Sequence, residues 1–195
     1  MLALFYVDRN RLLCYFNYVK ISAELAKKIK NIKLMAFDFD GIFTDAKVII
    51  DQDGRESIIC SRRDSLGTNQ LKRIGIKLAV ISMEPNPIVM KRCEKLKIEC
   101  LVGNEKLPIF RNLIKREKLK ASEAAFMGDD LNDLDCLEDA GLALTVADGA
   151  EQCKKIADYV TTKRGGDHAV REVCDVIMKT RGEDYENIYN KYEKK

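Results

Sequence analysis

Short apolar runs alternate with amphipathic segments along most of this chain. Residues 23–30 carry helical spacing with lysines gathered on one face. Leu34-Met35-Ala36-Phe37 follows as an apolar run bounded by polar residues, which reads as a buried strand. The same rhythm predicts strands over 77–81, 98–102, 124–127, 142–146 and 159–160. It predicts helices over 66–74, 87–96, 107–117, 131–140, 150–156 and 169–179. Pro87 suits a helix start, because the first helical position has no bonded N–H to lose. Such alternation implies a doubly wound, Rossmann-like α/β fold: a mainly parallel sheet with helices on both faces.

One segment breaks the rhythm. Residues 47–50 and 56–60 are β-branched runs around Asp51-Gln52-Asp53-Gly54, and Asp-Gly is a strong hairpin signal. A small β-hairpin should therefore protrude after the first parallel strand. Residues 1–20 are apolar without a clean period and read as an N-terminal extension. Residues 21–180 read as one domain, and 181–195 as a charged tail frayed at its end.

Composition narrows the function classes. In 195 residues, 34 Lys and Arg stand against 31 Asp and Glu, a net charge of +3 spread along the chain. That balance is too mild and too diffuse for nucleic acid to be the main partner. No apolar stretch approaches the roughly 20 residues a membrane helix needs. Asp8, Arg9 and Arg11 interrupt the only stretch that a signal peptide could use. The 7 cysteines form no C-x-x-C pair and fall mostly in apolar contexts, which fits a reduced, cytoplasmic setting.

Candidate chemistry follows from where strands end, because open parallel sheets bind ligands beyond their carboxyl edge. The first strand runs into Asp38-Phe39-Asp40-Gly41, where the two aspartates share a side of the extended backbone. The 124–127 strand runs into Gly128-Asp129-Asp130, with Asp133 one turn further on. If both ends border one crevice, at least three carboxylates converge there, a costly cluster unless a cation neutralises it. Oxygen donors without histidine favour Mg²⁺ over Zn²⁺. Turn formation and helix capping are the alternative for each aspartate taken singly. The loop glycine stands at the fourth position, not the sixth, which excludes an EF-hand.

These motifs resemble those of the haloacid dehalogenase superfamily. Asp38-Phe39-Asp40-Gly41-Ile42-Phe43-Thr44-Asp45 is similar to its first motif, Ser82 to its second, Lys106 to its third, and Gly128-Asp129-Asp130-Leu131-Asn132-Asp133 to its acidic fourth. Arg63-Asp64 and the run from Arg164 to Cys174 are similar to the capless sugar-acid phosphatases, and the similarity covers roughly residues 23–180. That group contains the 3-deoxy-octulosonate 8-phosphate and N-acylneuraminate 9-phosphate phosphatases and the related domain fused to some acylneuraminate cytidylyltransferases. Ser65 departs from the group's usual glycine after Arg-Asp, and Asp167-His168 replaces a commoner pair ending in glycine. Ile81-Ser82-Met83-Glu84-Pro85-Asn86-Pro87 leans toward the acylneuraminate branch, with the choice between eight and nine carbons left open.

The resemblance implies a mechanism. Asp38 would attack phosphorus and form an aspartyl phosphate, and Asp40 would act as general acid and then base. Mg²⁺ would be held by Asp38, the Asp40 carbonyl and Asp129. Ser82 and Lys106 would bind the transferring oxygens. Asp130 and Asp133 would orient Lys106 or a metal-bound water. Arg62, Arg63, Lys163, Arg164 and Arg171 are candidates for gripping a substrate carboxylate, with a plain solvated surface as the alternative. Asp167 reads as the N-cap of the last helix, and His168 as structural, with a substrate contact open.

The interval between Asp40 and Ser82 has room for a hairpin and one helix but no cap domain, so the resemblance also implies a homotetramer whose hairpins cover neighbouring sites. Two other classes compete. One is a non-catalytic oligomerisation module related to the cytidylyltransferase-fused domains. The other is a receiver domain, whose phosphoacceptor would end a third strand that here reads Leu101-Val102-Gly103-Asn104.

Overall fold

The structure is a computed structural model, and it describes residues 21–183. The expectations for residues 1–20 and for most of the C-terminal tail lie outside the described residues.

Chain order is α1 (Ala23–Asn31), β1 (Leu34–Phe37), β2 (Ile49–Ile50), β3 (Glu56–Ser57), α2 (Arg62–Arg73), β4 (Lys77–Ser82), α3 (Pro87–Leu96) and β5 (Glu99–Val102). There follow α4 (Lys106–Arg116), β6 (Ala124–Met127), α5 (Leu134–Asp139), β7 (Leu142–Thr145), α6 (Glu151–Ile156), β8 (Tyr159–Val160) and α7 (Ala169–Thr180). Six strands form one parallel sheet in the order β5-β4-β1-β6-β7-β8, and β2 and β3 pair antiparallel as a separate hairpin. The doubly wound α/β expectation therefore holds.

The strands are buried on both faces, so their side chains divide two cores by simple alternation. Met35 and Phe37 pack with Leu78 and Val80 on the face covered by α1, α2, α3 and α7. Leu34 and Ala36 pack with Ala79, Ile81 and Phe126 on the other face, under α4, α5 and α6. From β1 the chain steps outward through β4 to β5, then returns to lay β6 on the opposite side of β1. That reversal opens a crevice at the carboxyl ends of β1 and β6, where the topology concentrates ligand sites.

Several boundaries differ from the sequence expectations for local reasons. Helix α2 starts at Arg62, earlier than residue 66, because Ser61 caps it by accepting from Arg63 N at 3.1 Å. The hairpin pairs only two residues per strand, and its turn is closed by Asp51 Oδ1, which accepts from Asp53 N and Arg55 N at 2.9 Å. The expected 131–140 helix opens instead as a 3₁₀ turn, Leu131–Asp133, before α5. Asp167 is not the cap of α7; His168 holds that position with a left-handed backbone, φ 72°, and its side chain makes no capping bond.

Helices α2 and α7 are pinned together by Asp64, which is fully buried and accepts from Arg171 N at 3.0 Å through Oδ1. Its Oδ2 is buried without a partner. Burial pushes this carboxyl up to about 6, while the Arg171 N–H and the charges of Arg92 and Arg171 pull the other way. A carboxyl raised in the folded state stabilises the fold below its unfolded value, and the benefit is lost as pH rises through the folded one. The stability difference between the wild type and Asp64→Asn should therefore shift against the wild type by about 2–3 kcal/mol between pH 4 and pH 7. Urea unfolding at several pH values measures this, and a difference that does not change with pH would contradict it.

Candidate active site

The loop after β1 is anchored by its apolar residues. Phe39, Ile42 and Phe43 are buried, Phe43 stacks on Phe39 and meets Phe37 edge-on, and Phe43 N donates to Phe39 O at 2.8 Å. With these rings held in the core, Asp38 and Asp40 are left at the carboxyl edge of the sheet. Thr44 fixes Asp40: its hydroxyl donates to Asp40 Oδ1 at 3.1 Å and accepts from Gly41 N and Ala46 N. Thr44 stands in the first motif but was not among the expected site residues; its buried hydroxyl serves three partners at once.

Beside this loop the fourth-motif turn folds back on itself. Asp133 Oδ2 accepts from Asp129 N at 2.9 Å and Asp130 N at 3.3 Å, while Asp133 Oδ1 accepts from Lys106 Nζ at 2.7 Å. The same ammonium lies 2.9 Å from Asp38 Oδ2. Lys106 is the first residue of α4, and its side chain is 1% exposed. Burial alone would lower the Lys106 pKa, but Asp38 and Asp133 outweigh it and hold the group above its ordinary value.

Asp38, Asp129 and Asp133 each present a carboxylate oxygen, and the three oxygens lie within 4.8 Å of one another. Burial and then Asp133 push Asp38 up to about 7, against the pull of Lys106. Asp129 is raised to about 7 by burial, then by Asp38 and the other two aspartates. With all three ionised, the carboxylates outnumber the one ammonium by two negative charges, which is why burial and mutual repulsion push Asp38 and Asp129 toward the protonated form. Asp129 Oδ1 is buried with no hydrogen-bond partner. An all-oxygen donor set, two uncompensated charges and an orphaned carboxylate oxygen fit a hard divalent cation.

Close backbone approach shapes the rest of the crevice. Gly41 adopts φ 82°, and a Cβ there would lie 2.0 Å from Asp129 Oδ2. Gly165 packs so tightly that a Cβ would stand 1.8 Å from Gly41 O; its N–H donates to Asp148 Oδ1 at 2.9 Å, and Gly166 N donates to Ile42 O at 3.1 Å. The Gly165-Gly166 turn is thus a wall of the site, and Asp148, absent from the sequence expectations, holds it.

The other expected residues divide. Ser82 ends β4 beside β1, buried, with Oγ accepting from Glu84 N at 3.1 Å. Of the two aspartates expected to orient Lys106 or a metal-bound water, Asp133 holds the lysine, while Asp130 is exposed and its Oδ1 caps the 3₁₀ turn by accepting from Leu131 N. Arg62, Arg63, Lys163 and Arg164 are exposed, whereas Arg171 is engaged with Asp175 at 2.7 Å. A recess of about 300 Å³ adjoins Asp40, walled by Val48, Ile58, Ile88 and Val89 with Glu56, Glu84 and Asn86 as its polar groups. Asn86 Nδ2 donates to Glu56 Oε2 at 2.5 Å and so ties the hairpin to the start of α3. A larger recess of about 470 Å³ opens at the opposite edge of the sheet and contains none of the clustered aspartates.

Residues 102–173 match the family described as haloacid dehalogenase-like hydrolase. The 3-deoxy-D-manno-octulosonate 8-phosphate phosphatase of Escherichia coli K12 is 34% identical over 167 residues, which span 85% of this chain and 89% of that one. The chain belongs to the haloacid dehalogenase-like phosphatases. The Haemophilus influenzae member is 32% identical over 160 residues, 81% of this chain and 89% of that one. A crystal structure of the Moraxella catarrhalis octulosonate phosphatase, in complex with a magnesium ion, a phosphate ion and a KDO molecule, superposes with a TM-score of 0.81. It is 36% identical, and the match covers 87% of this chain and 98% of that one.

In this haloacid dehalogenase-like phosphatase the Lys106–Asp133 pair is a structural keystone, joining α4 to the turn after β6. Asp133→Ala leaves the buried ammonium with Asp38 alone and two backbone N–H groups without their acceptor, and should cost about 2–3 kcal/mol in metal-free protein. Removing the exposed Arg111–Asp139 pair should barely move the unfolding midpoint. Denaturant titration compares the two; equal effects would contradict the keystone role.

Proposed function

We propose that this chain is a Mg²⁺-dependent phosphatase that removes phosphate from a 2-keto-3-deoxy sugar acid, through an aspartyl-phosphate intermediate. The observation that carries the reading is the buried constellation of Asp38, Lys106, Asp129 and Asp133 beside Asp40. The names of the relatives, and the magnesium, phosphate and KDO bound to one of them, support the substrate class. A scaffold module has no use for this cluster, since uncompensated buried charge only destabilises it.

Asp38, Asp129 and the Asp40 carbonyl are the residues that would hold Mg²⁺, and when bound it offsets the charge of a phosphate dianion approaching a carboxylate. Asp38 forms a bond to phosphorus as the phosphorus–sugar oxygen bond breaks, and Asp40 gives that oxygen its proton. Asp40 then takes a proton from water as the water attacks phosphorus, which releases phosphate and restores Asp38. Lys106 and Ser82 bind the transferring oxygens, where charge stabilisation is worth most. Thr44 holds the Asp40 carboxylate throughout.

The recess beside Asp40 accepts the uncharged part of the leaving sugar acid, since carboxylates and apolar walls line it and no cation among the described residues does. The substrate's carboxylate is left to Arg62, Arg63 and Arg164, whose fork geometry suits it. An eight-carbon substrate is favoured by the relatives' names. The apolar wall of Val48, Ile58, Ile88 and Val89 favours a second reading, a nine-carbon N-acylneuraminate whose acyl methyl it would cover.

The hairpin carries Ile49, Ile50 and Ile59 at 60%, 62% and 73% exposure, which supports its burial against a neighbouring subunit in a homotetramer. The catalytic unit is residues 21–180. No helix among the described residues is long and apolar enough to cross a membrane, and we assign the enzyme to the cytoplasm, supported by the free, largely buried thiols among the described residues.

A phosphate-release panel of octulosonate 8-phosphate, N-acylneuraminate 9-phosphate and hexose phosphates tests the substrate. Turnover should be confined to the sugar acids, stop in EDTA and return with Mg²⁺; a preference for hexose phosphates would overturn the reading. Asp38→Asn should lower turnover by about 10³-fold or more with the fold intact. Retention of roughly a tenth of the activity would rule Asp38 out as nucleophile. Light scattering should return a tetramer at micromolar concentration, and a monomer would count against the hairpin contact.

A further inference from the structure

Ser65 and His168, two of the three residues at which this chain departs from its group's pattern, are both tied to the start of α2. Ser61 is the N-cap of α2: its Oγ accepts from Arg63 N at 3.1 Å and lies 2.8 Å from His168 Nδ1. With Oγ accepting from the backbone, the serine's own proton is free to point at the imidazole nitrogen. Arg92 reaches across from α3 and donates through one terminal nitrogen to Ser61 O at 2.8 Å and to Ser65 Oγ at 3.1 Å. Arg171 N, in the first turn of α7, donates to Asp64 Oδ1 at 3.0 Å. Residues 61, 64 and 65 are therefore each held by a neighbouring element. Arg62 and Arg63, between them, are exposed.

The turn so held stands at the catalytic edge. Helix α2 runs down to the start of β4, so its first turn lies at the carboxyl ends of the strands. Ile58, three residues before Ser61, lines the recess beside Asp40. His168 follows Gly165-Gly166, the turn packed on Gly41. It occupies the left-handed region at φ 72°, where glycine is the easy choice, so the backbone here would be relaxed without the ring.

We propose that His168 and Ser65 are positioning residues for substrate recognition. Through Ser61 and Arg92 they set the first turn of α2 so that Arg62 and Arg63 present their guanidinium groups to the carboxylate of the sugar acid. The inference rests on the sugar-acid reading above and adds how this chain orients its arginines.

The test is steady-state kinetics on full-length His168→Gly, His168→Asn and Ser65→Gly, with the preferred sugar-acid phosphate and with p-nitrophenyl phosphate, which has no carboxylate. Glycine keeps the backbone and removes the bond; asparagine tolerates positive φ and places an amide oxygen where Nδ1 stands. His168→Gly should raise KM for the sugar acid about tenfold, the scale of one lost hydrogen bond, with kcat within about twofold. Turnover of p-nitrophenyl phosphate should be unchanged, His168→Asn should recover most of the KM, and Ser65→Gly should raise it by a smaller factor. Equal losses on both substrates, an unchanged KM, or asparagine no better than glycine would overturn the proposal. If His168→Gly does not fold, the Asn and Ser65→Gly variants decide it by the same comparison. A wild type active on p-nitrophenyl phosphate but on no sugar acid would bring down the substrate reading and this inference together.

Discussion

One ammonium group carries the architecture of this site. Lys106 stands between Asp38 and Asp133, almost fully buried, and each carboxylate lies within 3 Å of it. Asp38 belongs to the loop after β1 and Asp133 to the turn after β6, so a single lysine from α4 binds together segments far apart in sequence. Asp133 in turn accepts from the backbone of Asp129 and Asp130, which places Asp129 against Gly41. The ion pair stops one charge short at each of two carboxylates. A folded domain tolerates that deficit where a cation completes it, and the deficit is what suits the crevice to phosphate chemistry.

The sheet explains why these groups meet. Reversing direction at β1 leaves the carboxyl ends of β1 and β6 adjacent and uncovered by a crossover helix. Each strand end then delivers its polar motif into the same gap, while alternating side chains on the strands themselves are consumed by the two cores. The short hairpin, the first turn of α2 and the Gly165-Gly166 turn border the crevice, and no element among the described residues forms a cap domain over it. On the proposed reading, recognition of the leaving group falls to those borders, and catalysis to the buried centre.

Much of this was legible in the chain. Strand and helix alternation is periodic and strong, and D-x-D-G with G-D-D-x-x-D states where carboxylates gather. What escaped was polar and non-periodic. The first turn of α2 holds Arg62, Arg63, Asp64 and Ser65, with no apolar spacing to announce a helix, and only its contacts with Arg92 and His168 reveal its order. Asp167 looked like a cap by residue type, but the cap falls one position later, on the left-handed His168. Asp130 and Asp133 are chemically alike in sequence; only the fold makes one an exposed cap and the other the partner of Lys106.

The most direct test of the central claim is a Mn²⁺ titration of the metal-free protein followed by electron paramagnetic resonance, with Mn²⁺ as the visible substitute for Mg²⁺. The account requires one ion bound per chain, displaced by Mg²⁺ and lost in Asp129→Asn, with the variant's unfolding midpoint no lower than the wild type's. Manganese that stays free at millimolar concentration, or that binds Asp129→Asn as tightly as the wild type, would show that the aspartates do not share an ion.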